Sequence, residues 1–312
     1  MSGQGADEAG DATPMHVRHR ASTESGGKKR DLSYPAPPNP LVVPVYDNHT
    51  HLEIADGQGE PGAGGGPLDY REHLDRASAV GIRGVVQVGT DVETSRWSAE
   101  IAAREPRVLA AVALHPNEAP RLAAEGGLDE ALAVIDELAA RPRVRAIGET
   151  GLDFFRTGPE GRAAQLDSFR AHIEIAKRHG LALQIHDRDA HRDVLDTLRR
   201  VGAPERTVFH CFSGDADMAR EAADQGYFLS FAGNLTFKNA QNLRDALAVT
   251  PRERILVETD APFLTPVPHR GRPNAPYLVP MTVRFMADQL GADVDELCAQ
   301  IAANTLAVYG QF

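Results

Sequence analysis

Eight short apolar runs, most of them rich in β-branched residues, recur along this chain with helical or loop stretches between them. They are VPVYDNH, GVVQVGT, VLAAVALH, VRAIGE, LALQIH, TVFHCF, FLSFAG and ILVETD. Runs of this kind between helices are buried on both faces, which is the mark of a parallel sheet. The intervening stretches, such as AAQLDSFRAHIEIAKRHG and MAREAADQG, have helical periodicity. Several stop at a glycine, namely Gly81, Gly180, Gly202, Gly226 and Gly291, the residue that ends a helix most readily in the left-handed conformation. Eight βα units in succession predict a (β/α)8 TIM barrel rather than an open doubly wound sheet. No GxGxxG or Walker-type glycine loop follows the first run, which weakens a nucleotide-binding alternative.

The barrel is expected over residues 41–312. Residues 1–40 are rich in Gly, Ser, Asp, Arg and Pro and poor in large apolar side chains. Such a segment buries too little surface to offset its ordering entropy, so a disordered extension is expected there. PAPPNP (Pro35 to Pro40) closes it as a semi-rigid spacer, and His16 and His19 within it read as solvated spectators. Asp56 to Pro67 is Gly-rich and reads as a mobile βα loop beside the active face. The net charge of -11 disfavours non-specific binding to polyanions, so a phosphate substrate would need local cations. Two cysteines, Cys211 and Cys298, argue against a disulfide framework. Both read as small buried fillers, and strand alternation predicts that Cys211 points away from His210. No membrane span or signal segment stands out, so a cytoplasmic location is expected.

Six possible metal ligands fall at the carboxyl ends of these runs: His49, His51, Glu149, His186, His210 and Asp260. A parallel barrel gathers those ends on one face, where such folds place their chemistry. His49 and His51 are two apart on a strand and share a face. Glu149 lies in GETGLD, where glycines let the backbone turn sharply away from the strand. Asp260 suits a ligand and also a base near a bound water. Glu258, two residues earlier, shares its face as a supporting residue or barrel filler. His and carboxylate donors without Cys suit Zn, Mn, Fe or Co and tolerate Mg. Six ligands exceed what one open tetrahedral site needs, so two divalent ions are favoured. Two close cations acidify water, polarise the electrophile and hold a leaving oxygen.

The motifs DNHTHLE, LHP, GETGLDFFR, IHDRDAH, HCFSG, FAGNLTFKNA, ETDAPFL and HRGRPNAP, in this order, resemble the TatD family of metal-dependent deoxyribonucleases. The resemblance runs from about Val43 to the end of the chain. It implies hydrolysis of phosphodiester bonds in DNA, with His49, His51 and Asp260 on one metal, Glu149 bridging, and His186 and His210 on the other. The metals it admits are Mg, Mn or Zn. Glu149 and Asp260 are the expected catalytic carboxylates. The chain departs from the family at Glu53, where Asp is frequent, at Asn48, and in its long tail. An amidohydrolase-type reaction on another ester or amide, such as an aminoacyl-RNA deacylase or a lactonase, uses the same fold and ligands and stays open as an alternative. So does a non-catalytic scaffold with structural metals, although structural sites seldom keep an open position.

Phosphate recognition needs fixed donors near the metals. Lys238 is the first choice, with Arg188, His115 and Arg270 as further substrate contacts and Arg156 and Arg272 as candidates. Phe154 and Phe155 could stack on a base, which favours single-stranded DNA as the partner. His191 and His269 are weaker supporting candidates, and Asp153 is expected to orient a neighbouring loop or ligand. No membrane and no obligatory protein partner are implied.

Overall fold

The computed structural model describes residues 16–18, 31–57 and 67–312. Ten strands occur among them. A short pair, β1 (His16–Val17) and β3 (Ile54–Ala55), runs parallel at the edge. The other eight are β2 (Val45–Thr50), β4 (Ile82–Val88), β5 (Val108–Val112), β6 (Val144–Asp153), β7 (Ala182–Arg188), β8 (Thr207–Phe209), β9 (Phe228–Phe231) and β10 (Ile255–Val257). They form one parallel sheet in sequence order from β2 to β10, as the eight apolar runs predict. The helices are α1 (Tyr70–Ala79), α2 (Val92–Arg104), α3 (Ala119–Ala124), α4 (Leu128–Ala139), α5 (Arg162–His179), α6 (His191–Val201), α7 (Ala216–Asp224), α8 (Gln241–Val249), α9 (Val279–Leu290) and α10 (Val294–Tyr309). The five glycines predicted to follow helices all have positive φ.

The barrel closes between β10 and β2 with few ladder bonds. Asp260 N–H donates to His49 O (2.9 Å) and His51 N–H to Ala261 O (2.8 Å). Side chains supply the rest. Asn48 Nδ2 donates to Val257 O, and the Asp47 carboxylate accepts from Thr259 N–H at 2.9 Å and Thr259 Oγ1–H at 2.5 Å. These bonds span more than two hundred residues of sequence and tie the first site-bearing strand to the last.

Two apolar layers follow from strand alternation. Val86, Val88, Leu109, Ala111, Ala146, Ala182, Val208, Phe228 and Leu256 form an inner cluster with Val308 and Tyr309 from the end of α10. Tyr309 is fully buried and its hydroxyl accepts from Gln184 Nε2 (2.7 Å), while Phe312 stacks on Tyr46. The carboxyl terminus thus fills the amino end of the barrel and leaves the opposite end open. The outer layer packs strands on helices through residues such as Val85, Val112, Ile147, Phe169 and Leu198.

One expectation about the N-terminal extension changes. Residues 31–40 were assigned to a disordered extension, yet they lie along the barrel. Tyr34 is buried and donates to Asp56 O, Arg272 Nε donates to Ser33 O, Tyr277 Oη–H to Pro35 O, and Arg284 to the carbonyls of Asn39 and Pro40. Composition misled there because partners distant in sequence satisfy that backbone. Residues 16–18 of the same extension also depart from that expectation, since His16–Val17 forms β1 against β3, with His16 exposed. Residues 1–15 and 19–30, His19 included, and residues 58–66 of the Gly-rich loop fall outside the described residues. No described helix is long and apolar enough to cross a membrane.

Candidate metal centre

At the open end the six predicted ligands converge. His49 and His51 sit at the end of β2, whose register shifts along its pairing with β4. His49 Nε2 lies 3.3 Å from His51 Nε2, 3.7 Å from Glu149 Oε2 and 3.9 Å from Asp260 Oδ1. His51 Nε2 is 3.6 Å from Asp260 Oδ1 and 3.8 Å from Glu149 Oε2. The other Glu149 oxygen, Oε1, faces His186 Nδ1 (2.5 Å), His210 Nε2 (2.9 Å) and His115 Nε2 (3.4 Å). Three groups of donors therefore form: His49, His51 and Asp260; His49, Glu149 and His210; and His115, Glu149 and His186. Glu149 belongs to two of them, and its oxygens divide the cluster: Oε2 faces His49 and His51, and Oε1 faces His115, His186 and His210.

The backbone reaches this arrangement differently from what GETGLD suggests. The chain does not turn away after Glu149; β6 continues to Asp153, and its register against β7 shifts between Ile147 and Thr150. Glu149 lies within that shift, and the strand goes on past it. Gly151, at φ +141, lies where an added Cβ would come within 2.0 Å of His186 O. Only glycine fits between the two strands there.

Hydrogen bonds orient the rings. His51 Nδ1 is 3.0 Å from Val88 O, which places a proton on Nδ1 and makes Nε2 the nitrogen turned toward the cluster. Glu53 Oε1 stands 3.5 Å from the same Nδ1, and its other oxygen accepts from Gln87 Nε2 (2.5 Å). Glu258, fully buried, accepts from His210 Nδ1 (3.2 Å) and Cys211 N–H (2.8 Å). Asp153 accepts from Arg156 N–H (2.8 Å) and Asn117 Nδ2 (3.2 Å), so it orients neighbouring loops, and its Oδ2 lies 3.3 Å from His186 Nε2.

Electrostatics divide the cluster. Burial pushes the Glu149 carboxyl up, but His210, His115 and His186 outweigh it and hold it well below the usual carboxylate range. Burial opposes charge on His210 and His51 too. The carboxylates of Glu149 and Glu258 nevertheless hold His210 well above its ordinary value, and Asp260 and Glu53 do the same for His51. His49 is pushed down, by burial first and then by His210.

These residues fit divalent cations. Five imidazoles, the four predicted and His115, converge with two carboxylates, and no Lys or Arg is among them. The Nε2 atoms of His49 and His51 lie 3.3 Å apart, close enough for both, once deprotonated, to ligate one cation. His49 Nδ1 has no partner at all. The donor chemistry, hard carboxylates with borderline imidazoles, matches Zn, Mn or related ions.

The cluster opens into a cavity of about 580 Å³. One wall is polar and charged, with Asn117, Glu118, Arg156, Asp187 and Arg188. The other is apolar, with Ile54, Phe263 and Leu264. Of the predicted substrate contacts, His115 and Arg188 line it, and Lys238 and Arg270 do not. After β9 the chain enters a short 3-10 turn, Gly233–Thr236, that presents Asn234 to the cavity and carries Lys238 out to an exposed turn. Arg270 lies over the Phe237 ring (4.3 Å to the centroid), held away from the cavity. Arg272 is spent on residues 33–34. Phe155 is exposed and packs under Arg188, whereas Phe154 packs against the core. His191 pairs with Asp187, outside the donor groups, and His269 lies near Asp31 and Arg272.

Cys211 also differs from expectation. It lines the cavity instead of filling the core, whereas Cys298 is fully buried as expected. β8 ends at Phe209, and Cys211 adopts φ +41, so strand alternation no longer applies beyond the strand. Asn117, Asn234 and Phe263 are further lining residues that the sequence did not single out. They share only one signal, a position just past a strand end.

A family model described as TatD related DNase matches residues 46–310. The metal-dependent hydrolase TatD of Mycobacterium tuberculosis is 43% identical over 270 residues, 85% of this chain and 98% of that protein. The metal-dependent hydrolase YabD of Bacillus subtilis is 35% identical over 262 residues, 84% of this chain and 95% of that protein. The crystal structure of YjjV, a TatD homologue from Escherichia coli K12, superposes with a TM-score of 0.76 at 25% identity, over 86% of this chain and 99% of that one.

Proposed function

This chain belongs to the family of TatD-related DNases and is a metal-dependent hydrolase, and from that premise we propose that it is a deoxyribonuclease that hydrolyses phosphodiester bonds at a pair of divalent cations. The observation that carries this reading is Glu149. Its two oxygens face separate donor groups, beside a cavity wall bearing Arg156 and Arg188.

His49, His51 and Asp260 would hold one cation, His186 and His210 the other, with Glu149 between them. When bound, such cations acidify an attacking water and stabilise charge on the phosphoryl and leaving oxygens. The chain's own residues do the rest. Asp260 has the more exposed of the two acid side chains, 15% against 6% for Glu149, and sits on the cavity side of the cluster. Its carboxyl is held below its usual range, against burial, by the histidines around it, so it is ionised and able to take the proton from the attacking water. Arg188 and Arg156 bind the non-bridging phosphate oxygens with charge-assisted hydrogen bonds. Arg188 is held for this by the Phe155 ring, 4.0 Å beneath its guanidinium. His115, 3.4 Å from Glu149 Oε1 and on the cavity wall, contacts the substrate.

Access favours a single strand. The candidate ligands are largely buried, so a phosphodiester must enter the cavity to meet them. A flexible strand or a strand end does that, and the interior of a duplex does not.

The test is a nuclease assay with Mg, Mn or Zn on end-labelled single- and double-stranded oligonucleotides, run beside a lactone, a phosphotriester and an aminoacyl-RNA. Cleavage of the single strand is expected, with product lengths reporting direction. Turnover of another ester with no oligonucleotide cleavage overturns the reading.

A further inference from the structure

The apolar wall of the cavity is supported from behind by a segment outside the family-matched part of the chain. β1 pairs with β3 in register, His16 opposite Ile54 and Val17 opposite Ala55. His16 N–H donates to Glu53 O (3.2 Å) and Arg18 N–H to Ala55 O (2.8 Å). The strand that carries Ile54 to the cavity therefore gains its partner from the N-terminal segment. Arg18 then reaches the second wall residue. Its guanidinium lies over the Phe263 ring, 4.4 Å from the centroid, and donates to Pro262 O at 2.7 Å. The buried carboxylate of Asp56 anchors it at 3.5 Å. Phe263 in turn meets His51 edge-on and follows Asp260 by three residues.

We propose that His16–Arg18 is a working part of the site: through Arg18 and the β1–β3 pairing it holds Ile54 and Phe263 as a flat apolar platform for a base of the substrate strand. The base contact rests on the nuclease reading, and the clamp does not. The two cavity walls have opposite character, which suits a nucleotide. Its phosphate needs the arginine side, and its unpaired base needs an aromatic face, a contact that stabilises single-strand binding in sequence-tolerant fashion. A guanidinium over one face of Phe263 fixes the ring, and Phe263 lines the cavity while Arg18 does not. Arg18 is a positioning residue in this scheme, since it acts through Phe263. The M. tuberculosis and B. subtilis relatives are covered over 98% and 95% of their length by only 85% and 84% of this chain, and the family match begins at residue 46. The support is thus added to the shared fold.

The experiment uses the full chain with Arg18→Ala, Arg18→Lys and Phe263→Leu. Hydrogen exchange of the segment 260–264 is expected to rise at least fivefold in Arg18→Ala and to return toward wild type in Arg18→Lys, which keeps a cation and a donor. With a single-stranded oligonucleotide, KM is expected to rise about five- to tenfold in both Arg18→Ala and Phe263→Leu, with kcat within about twofold. Unchanged exchange in Arg18→Ala overturns the clamp. Raised exchange with an unchanged KM overturns the base platform. If the wild type cleaves no DNA, the nuclease reading fails with the platform, and the exchange measurement still decides the clamp.

Discussion

Two regions of this molecule bury histidines with very different consequences. On α5, His172 is fully buried and satisfied as a neutral ring. Its Nδ1 faces Ser168 O at 2.7 Å, and its Nε2 accepts from Leu114 N–H at 3.1 Å. With no carboxylate against it, burial pushes its pKa down to about 4. At the barrel rim His51 and His210 are as deeply enclosed, but carboxylates surround them and draw both well above the ordinary imidazole range. Burial of a histidine therefore carries little information by itself. The partner set separates a packed residue from a candidate ligand: backbone groups satisfy the first, and several anions compete for the second.

The sharpest way to break this comparison is Glu149→Gln. It removes the shared charge between two donor groups, so nuclease activity is expected to fall about a thousandfold, and titration with Mn or Zn should lose at least one binding event. The melting temperature of the metal-free protein should fall without the fold being lost, because His186 and His210 lose the buried anion that faces them. A metal-free protein that unfolds on this change would instead make Glu149 a structural residue like His172.

Glu258→Gln is expected to have a smaller effect. Gln keeps an acceptor for Cys211 N–H but loses the charge behind His210. Supporting partners of this kind are worth about 10–100-fold in metal affinity or activity. Calorimetry of cation binding should show that loss, and unaltered affinity would remove Glu258 from the site.

The smallest effect falls on the helix side. The folded pKa of His172, about 4, lies below its ordinary value of 6.5. Between those values the unfolded chain binds a proton that the folded chain does not, so stability falls as pH drops from 6.5 toward 4, by up to about 3 kcal/mol from this residue. His172→Gln should flatten that slope in denaturant titrations and cost about 1–2 kcal/mol at pH 7.5 through a disturbed Leu114 N–H partner. Activity should be unaffected. An unchanged slope would mean that His172 charges within the fold.

Much of this architecture is legible in the residues. The eight runs map onto the eight barrel strands, and the strand-end rule brings His49, His51, Glu149, His186, His210 and Asp260 together within a few ångströms. The failures are also local in origin. Cys211 lies two residues past the end of β8, where alternation no longer governs direction. Lys238 and Arg270 were chosen for charge and loop position, but a 3-10 turn and the Phe237 ring direct them elsewhere. Tyr34 looked like part of a loose tail because its partners, Asp56 and His73, are remote in sequence.

Hydrophobic periodicity and ligand spacing are properties of neighbouring residues, so the chain by itself determined the strands, their order and which donors sit at their carboxyl ends. Loop direction, the Asp47–Thr259 closure across the seam and the seating of Arg18 on Phe263 depend on groups far apart along the chain. Only the folded barrel brings those groups within hydrogen-bond or ring-contact distance, and only there is it decided which cations face the cavity.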